Sequence, residues 1–279
     1  MLKKTSKIVS IWQKINPRFR NFLKILLLIT WVCGVYLLVS SLLSFPFRAL
    51  YQSTNLSAAA AQTIYSAVSY LISLIIIIFL PKLILPHFTI SRSELGLHKL
   101  PTWIDIGLAP VGLIVYLLLA SVITNIFSGF SWFNLTEAQD VGFSNLVFGA
   151  DRYFALVALV LVAPIAEELM FRGFLYSKLK KVISKFFNSS QKSSKKPVDA
   201  KKRSKKIEWA TIIISTLLTS LAFAAMHGQW NVGINVFAMS IVLCIMREIT
   251  GTIYSGILLH MIKNGIAFYL LYIIGVSLA

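Results

Sequence analysis

The chain has 279 residues, 57% hydrophobic and only 13% charged, with a formal net charge of +17. Soluble globular domains carry about a quarter charged residues, so the composition excludes a soluble enzyme or binding domain and predicts an all-α, polytopic membrane helix bundle. The two cysteines, Cys33 and Cys244, lie in apolar runs without Cys-x-x-Cys spacing, which excludes a disulfide framework and a thiol redox or metal motif.

Residues 1–21 form a basic tail with Lys3, Lys4, Lys7, Lys14, Arg18 and Arg20. The first apolar run, 22–45, is too long for a signal-peptide core and has no small-residue cleavage site after it, so it reads as a retained anchor. Arg48 leads to a second run, 60–80, ended by Pro81. A link holding Lys82, Arg92 and Lys99 leads to a third, 104–127. Residues 128–150 hold aromatic residues, Glu137 and Asp140 but no Lys or Arg, and read as an interfacial or re-entrant loop. These elements make up an N-terminal region, 22–150.

The second region, 151–276, opens with a fourth run, 153–177, which carries Glu167, Glu168 and Arg172. Within 178–206 Lys and Ser dominate. Such a composition cannot bury a core, so a basic, largely disordered cytoplasmic loop is expected, with room for a short surface helix at its start. A fifth run, 209–226, ends at His227; a sixth, 232–246, ends at Arg247-Glu248; a seventh covers 252–276. About seven transmembrane helices follow, with no internal repeat.

Seven crossings with a cytoplasmic N-terminus put 1–21, 81–103, 178–206 and Arg247 on the cytoplasmic side, leaving only Arg48 and Arg152 opposite. That asymmetry is what the positive-inside rule expects of an integral membrane protein. The net charge is thus mainly a topology signal. Anionic lipid headgroups are the expected partner of the basic segments, at roughly 1 kcal/mol per residue. Without interleaved stacking aromatics, no nucleic-acid partner is expected.

Each charge at mid-membrane costs roughly 2.5–3.5 kcal/mol, which makes Glu167, Glu168 and Arg172 a functional hypothesis by default. On a helix Glu168 and Arg172 stand at i, i+4 and can pair. Glu167 is turned by about 100° and is free to face something else. Two later runs supply candidates: Phe223 and His227 share one helical face, as do His260 and Asn264, with Lys263 on the same turn. Polar side chains also bridge membrane helices without any chemistry. A Glu-Glu-Arg set, two histidines and an asparagine on three helices go beyond that bland role.

Glu167-Glu168-x-x-x-Arg172, Phe223-x-x-x-His227 and His260-x-x-x-Asn264 resemble, in order, the three motifs of the CAAX-protease and bacteriocin-processing family of intramembrane endopeptidases, also called the Abi family. The polar stretch from Arg247 to Tyr254 resembles the family's turn into its last catalytic helix. The resemblance covers about residues 150–270. The first three helices carry no diagnostic motif, and the Lys-rich insert departs from the pattern.

Peptide hydrolysis needs an activated water, donors for the oxyanion and a proton for the leaving amine. Glu167 is the candidate base. His227 shares the water or protonates the amine, and His260 and Asn264 donate to the oxyanion; the resemblance implies the same roles. Glu168 and Arg172 hold the motif helix behind them. No cofactor is required on this reading. The competing reading is a divalent metal such as Zn on Glu167, His227 and His260, with an open position for water.

Helix rise puts Glu167 and His260 at similar depth but His227 nearer the outer face, so the fifth helix is expected to tilt or start below the headgroups. The substrate class is a membrane-embedded or membrane-anchored peptide or protein. A non-proteolytic bacteriocin self-immunity or scaffold protein is the alternative from another class, and a transporter with a proton relay is a third.

Overall fold

A computed structural model of the chain describes residues 15–85, 88–134, 143, 149–188 and 197–275, with only the backbone for 197–202. Most of the loop expected over 128–150, including Glu137 and Asp140, lies outside the described residues, as does 189–196. Among the described residues there are helices and no strands. Seven helices are long and apolar enough to cross a membrane, as the seven apolar runs predict.

Helix α1, Pro17–Ser53, starts with proline at its first turn, where a missing N–H costs nothing, behind an Asn16 cap. Helix α2, Ala58–Ile84, is capped by Ser57 and continues past Pro81, where an end was expected. The short α3, Arg92–Leu95, and α4, Trp103–Phe127, each begin with a capping box, Ser91/Glu94 and Thr102/Asp105. Helix α5 runs through Asp151–Asn188, α6 through Pro197–Ala225, α7 through Trp230–Thr250 and α8 through Tyr254–Ile274. The core sits where α7 packs against α4 and α6, and α8 against α4 and α5.

Helix α5 is not uniform. It widens into π-helix at Val157–Val162 and again at Leu169–Leu175, on either side of the two glutamates. Pro164 sits just after the first widening. A proline lacks an N–H and crowds the carbonyl four residues back, and a π-bulge relieves both problems without ending the helix.

The Lys-rich segment corrects the expectation of a largely disordered loop over 178–206. Residues 176–188 continue α5, and 197–206 form the first turns of α6. The reason is amphipathicity: Leu179 and Ile183 are buried on one face while Lys181 and Lys185 stay exposed. A few well-spaced apolar residues suffice when a neighbouring bundle supplies the core.

The turn Gly251–Ile253 lies inside the bundle: Thr252 and Ile253 are buried, Thr252 Oγ1 donates to Asp105 Oδ1 at 2.6 Å, and the Ile253 N–H donates to the Gly96 carbonyl. Gly251, at φ +70°, makes the reversal that an L side chain would strain. Helix α8 therefore starts from a buried turn tied to α4.

Candidate active site

The two adjacent glutamates of α5 separate as their helical positions require. Glu168 is fully buried, and Arg172 Nη1 donates to its Oε1 at 2.9 Å, also fully buried. The guanidinium lies over the Phe223 ring, 4.4 Å from its centre. His260 of α8 turns Nδ1 to the same Glu168 oxygen at 3.3 Å. Gly256, one turn before His260, allows this approach. A Cβ there would stand 3.0 Å from Glu168 Oε2.

Glu167 faces a cavity of about 290 Å³ that is also lined by His227, His260, Lys263 and Asn264. Its Oε1 accepts from the Tyr70 hydroxyl of α2 at 2.5 Å, and its Oε2 lies 3.8 Å from His260 Nε2. Tyr70 is buried, with its ring stacked on Tyr36 of α1 at 5.1 Å. This contact was not legible in the sequence, because a tyrosine in an apolar run carries no motif.

His227 follows the end of α6. Its Nδ1 lies 2.9 Å from the Phe223 carbonyl, which can only accept, so the proton sits on Nδ1 and Nε2 is left as the free nitrogen. Burial pushes the imidazole below its ordinary value, against the opposing pull of the Glu167 carboxylate and the Phe223 carbonyl. The Phe223 ring packs edge-on against both His227 and His260. Asn264 donates from Nδ2 to the Leu159 carbonyl at 2.8 Å, inside the first π-helical stretch of α5. One N–H of its amide remains for another acceptor.

The geometry thus brings Glu167, His227, His260 and Asn264 onto one cavity and sets Glu168 and Arg172 behind it. As a metal site the set fits poorly. Among the described residues no three His, Cys, Asp or Glu side chains stand together as ligands for one ion.

Residues 149–266, from the start of α5 into α8, match the family model described as Type II CAAX prenyl endopeptidase Rce1-like. The match covers less than half of the chain and agrees with the resemblance carried by the three motifs. Tyr36 and Tyr70 lie outside it. No curated protein and no solved structure matches the chain at a significant level.

Proposed function

We propose that the protein is an intramembrane endopeptidase that hydrolyses a peptide bond of a membrane-embedded or membrane-anchored peptide, using water activated by Glu167 and His227. The observation that carries this reading is a carboxylate with one oxygen fixed by Tyr70 and the other open, facing two histidines and an asparagine from other helices. Glu167 takes a proton from water as the water oxygen adds to the scissile carbonyl. The free Nε2 of His227 orients that water. The spare N–H of Asn264 and the His260 Nε2 side of the ring face the oxyanion. As the C–N bond breaks, the proton held by Glu167 passes to the leaving amine. Water is consumed, and one acid and one amine are formed.

No step runs through a metal, and activity is expected to persist in EDTA or phenanthroline. Abolition by chelation, with restoration by Zn, would replace this mechanism. The orientation that goes with the reading has the N-terminus in the cytoplasm and the basic end of α5 and α6 against anionic headgroups. Mass spectrometry of membrane peptides from cells making the active protein or Glu167→Ala tests the activity itself. Cleavage products confined to the active protein are expected. Identical peptide profiles, with the phenotype of the active protein retained by the variant, would favour the immunity or scaffold reading.

A further inference from the structure

A second cavity opens at the basic end of the bundle, apart from the one at Glu167. It measures about 1080 Å³, at the top of the range of ligand pockets, and is lined from α3, α5, α6 and the end of α7. Its described lining holds five Lys and Arg side chains against three glutamates. Two of those carboxylates are already engaged. Glu94 is met by Lys178 and Lys181, and Glu248 by Lys180. Lys185 of α5 and Arg203 of α6 make no hydrogen bond and no ion pair among the described residues. Only Glu208 is left open to offset them. Lys24 of α1 stands within electrostatic reach of Lys185 and of Arg20, and adds to the positive field there.

Unused donors lie behind the open cations. Arg247 gives Nη2 to the Ser93 and Glu94 carbonyls, but its buried Nε has no partner, and the buried Thr211 hydroxyl has none either. Both residues line the cavity. Ser93 and Ser204, also in the lining, keep their hydroxyls free to donate. Donors left without acceptors are costly, so this lining favours a guest rich in acceptor oxygens. A cation would find one open carboxylate, and an apolar guest would strand the charges. A phosphate group suits the set, because its oxygens take a guanidinium fork, an ammonium and hydroxyls together.

We propose that this cavity is a binding site for one phosphate-bearing anion, held first by Lys185 and Arg203. A general attraction of basic segments to headgroups needs neither a cavity nor fixed contacts; this site has both and saturates. The proposal does not rest on the peptidase reading. Two sources share the chemistry, an anionic lipid headgroup at the membrane surface and a soluble phosphate ester, and the test separates them.

Full-length protein in neutral detergent is titrated by calorimetry at constant ionic strength. The probes are inorganic pyrophosphate, dihexanoyl phosphatidylglycerol, dihexanoyl phosphatidylcholine and a hexaglutamate peptide. One of the two anionic phosphate probes should bind saturably, one per chain, and about tenfold or more tighter than phosphatidylcholine or hexaglutamate. The paired variant Lys185→Gln/Arg203→Gln should weaken that binding by about tenfold or more, the scale of a charge-assisted hydrogen bond. Lys205→Gln/Lys206→Gln removes the same charge from α6 positions outside the lining and should leave binding within about twofold. All four side chains are exposed, so melting of both variants should stay near that of the unaltered protein. Tighter binding of phosphatidylglycerol identifies a headgroup, and pyrophosphate binding as tight or tighter identifies a soluble ester. Equal weakening by the two paired variants would reduce the site to diffuse attraction and overturn it. So would a preference for hexaglutamate, or no saturable binding of either phosphate probe.

Discussion

The ion pairs at the basic end of the bundle and the cavity at Glu167 treat charge in opposite ways. At the basic end Lys180 closes on Glu248 at 2.6 Å, Lys178 on Glu94 at 3.1 Å, and Lys181 also meets Glu94. Arg247 donates to the Ser93 and Glu94 carbonyls, strapping α3 to α7. In the cavity, by contrast, the open Glu167 oxygen, His227 Nε2 and the Lys263 ammonium face a shared space. Closed ion pairs fasten helices and leave no bonding capacity over. Groups held apart in a cavity are costly to keep and have bonding capacity left for something that enters. The charge that fastens and the charge left open are thus separated along the same helix, α5.

The sharpest way to break that comparison is at the two glutamates. Glu167→Gln should lower cleavage by about a thousandfold, as expected for loss of a general base, while expression and detergent melting stay near normal. Arg172→Ala should instead cost about 3–5 kcal/mol of stability, because it leaves Glu168 buried without its partner. Its signature is a loss of folded protein on size exclusion. Equal loss of folding in the two variants would erase the division between chemical and structural carboxylates.

Tyr70→Phe makes a finer test. It keeps the ring on Tyr36 and removes only the hydroxyl that holds Glu167. A fall in kcat of about tenfold with KM nearly unchanged is expected for loss of one hydrogen bond to a charged group. A change confined to KM would move Tyr70 from positioning the base to contacting substrate. Smallest of all should be Lys180→Ala at the basic end. That pair is partly exposed, so about 1 kcal/mol or less is expected in melting, with kcat unchanged.

Much of the site was legible because membrane spans offer few polar residues. The i, i+4 spacing of Glu168 and Arg172 foretold their pair, and the motif order foretold that α5, α6 and α8 meet. Tyr70 was hidden because its role depends on how α2 packs against α5, which no local spacing encodes. The π-helical stretches were hidden for a similar reason, although Pro164 was a usable signal for the first of them. The Lys-rich segment misled because composition was weighed without its helical face. The burial of the turn at Thr252 could not be read either, since it looks in sequence like any loop between two spans.

Gly256 bears on how such chains diverge. Its missing side chain leaves room for Glu168, and a methyl group there would force the buried carboxylate to give by a few tenths of an ångström, with Leu243 also close at 3.4 Å. Because Glu168 also meets His260, that push would reach the imidazole facing the cavity. One glycine-to-alanine change, a single-base step in the codon, would therefore press on the buried end of the site while keeping every motif residue. A comparison of such chains by motif alone would pass over it, so residue 256 belongs beside the motif positions.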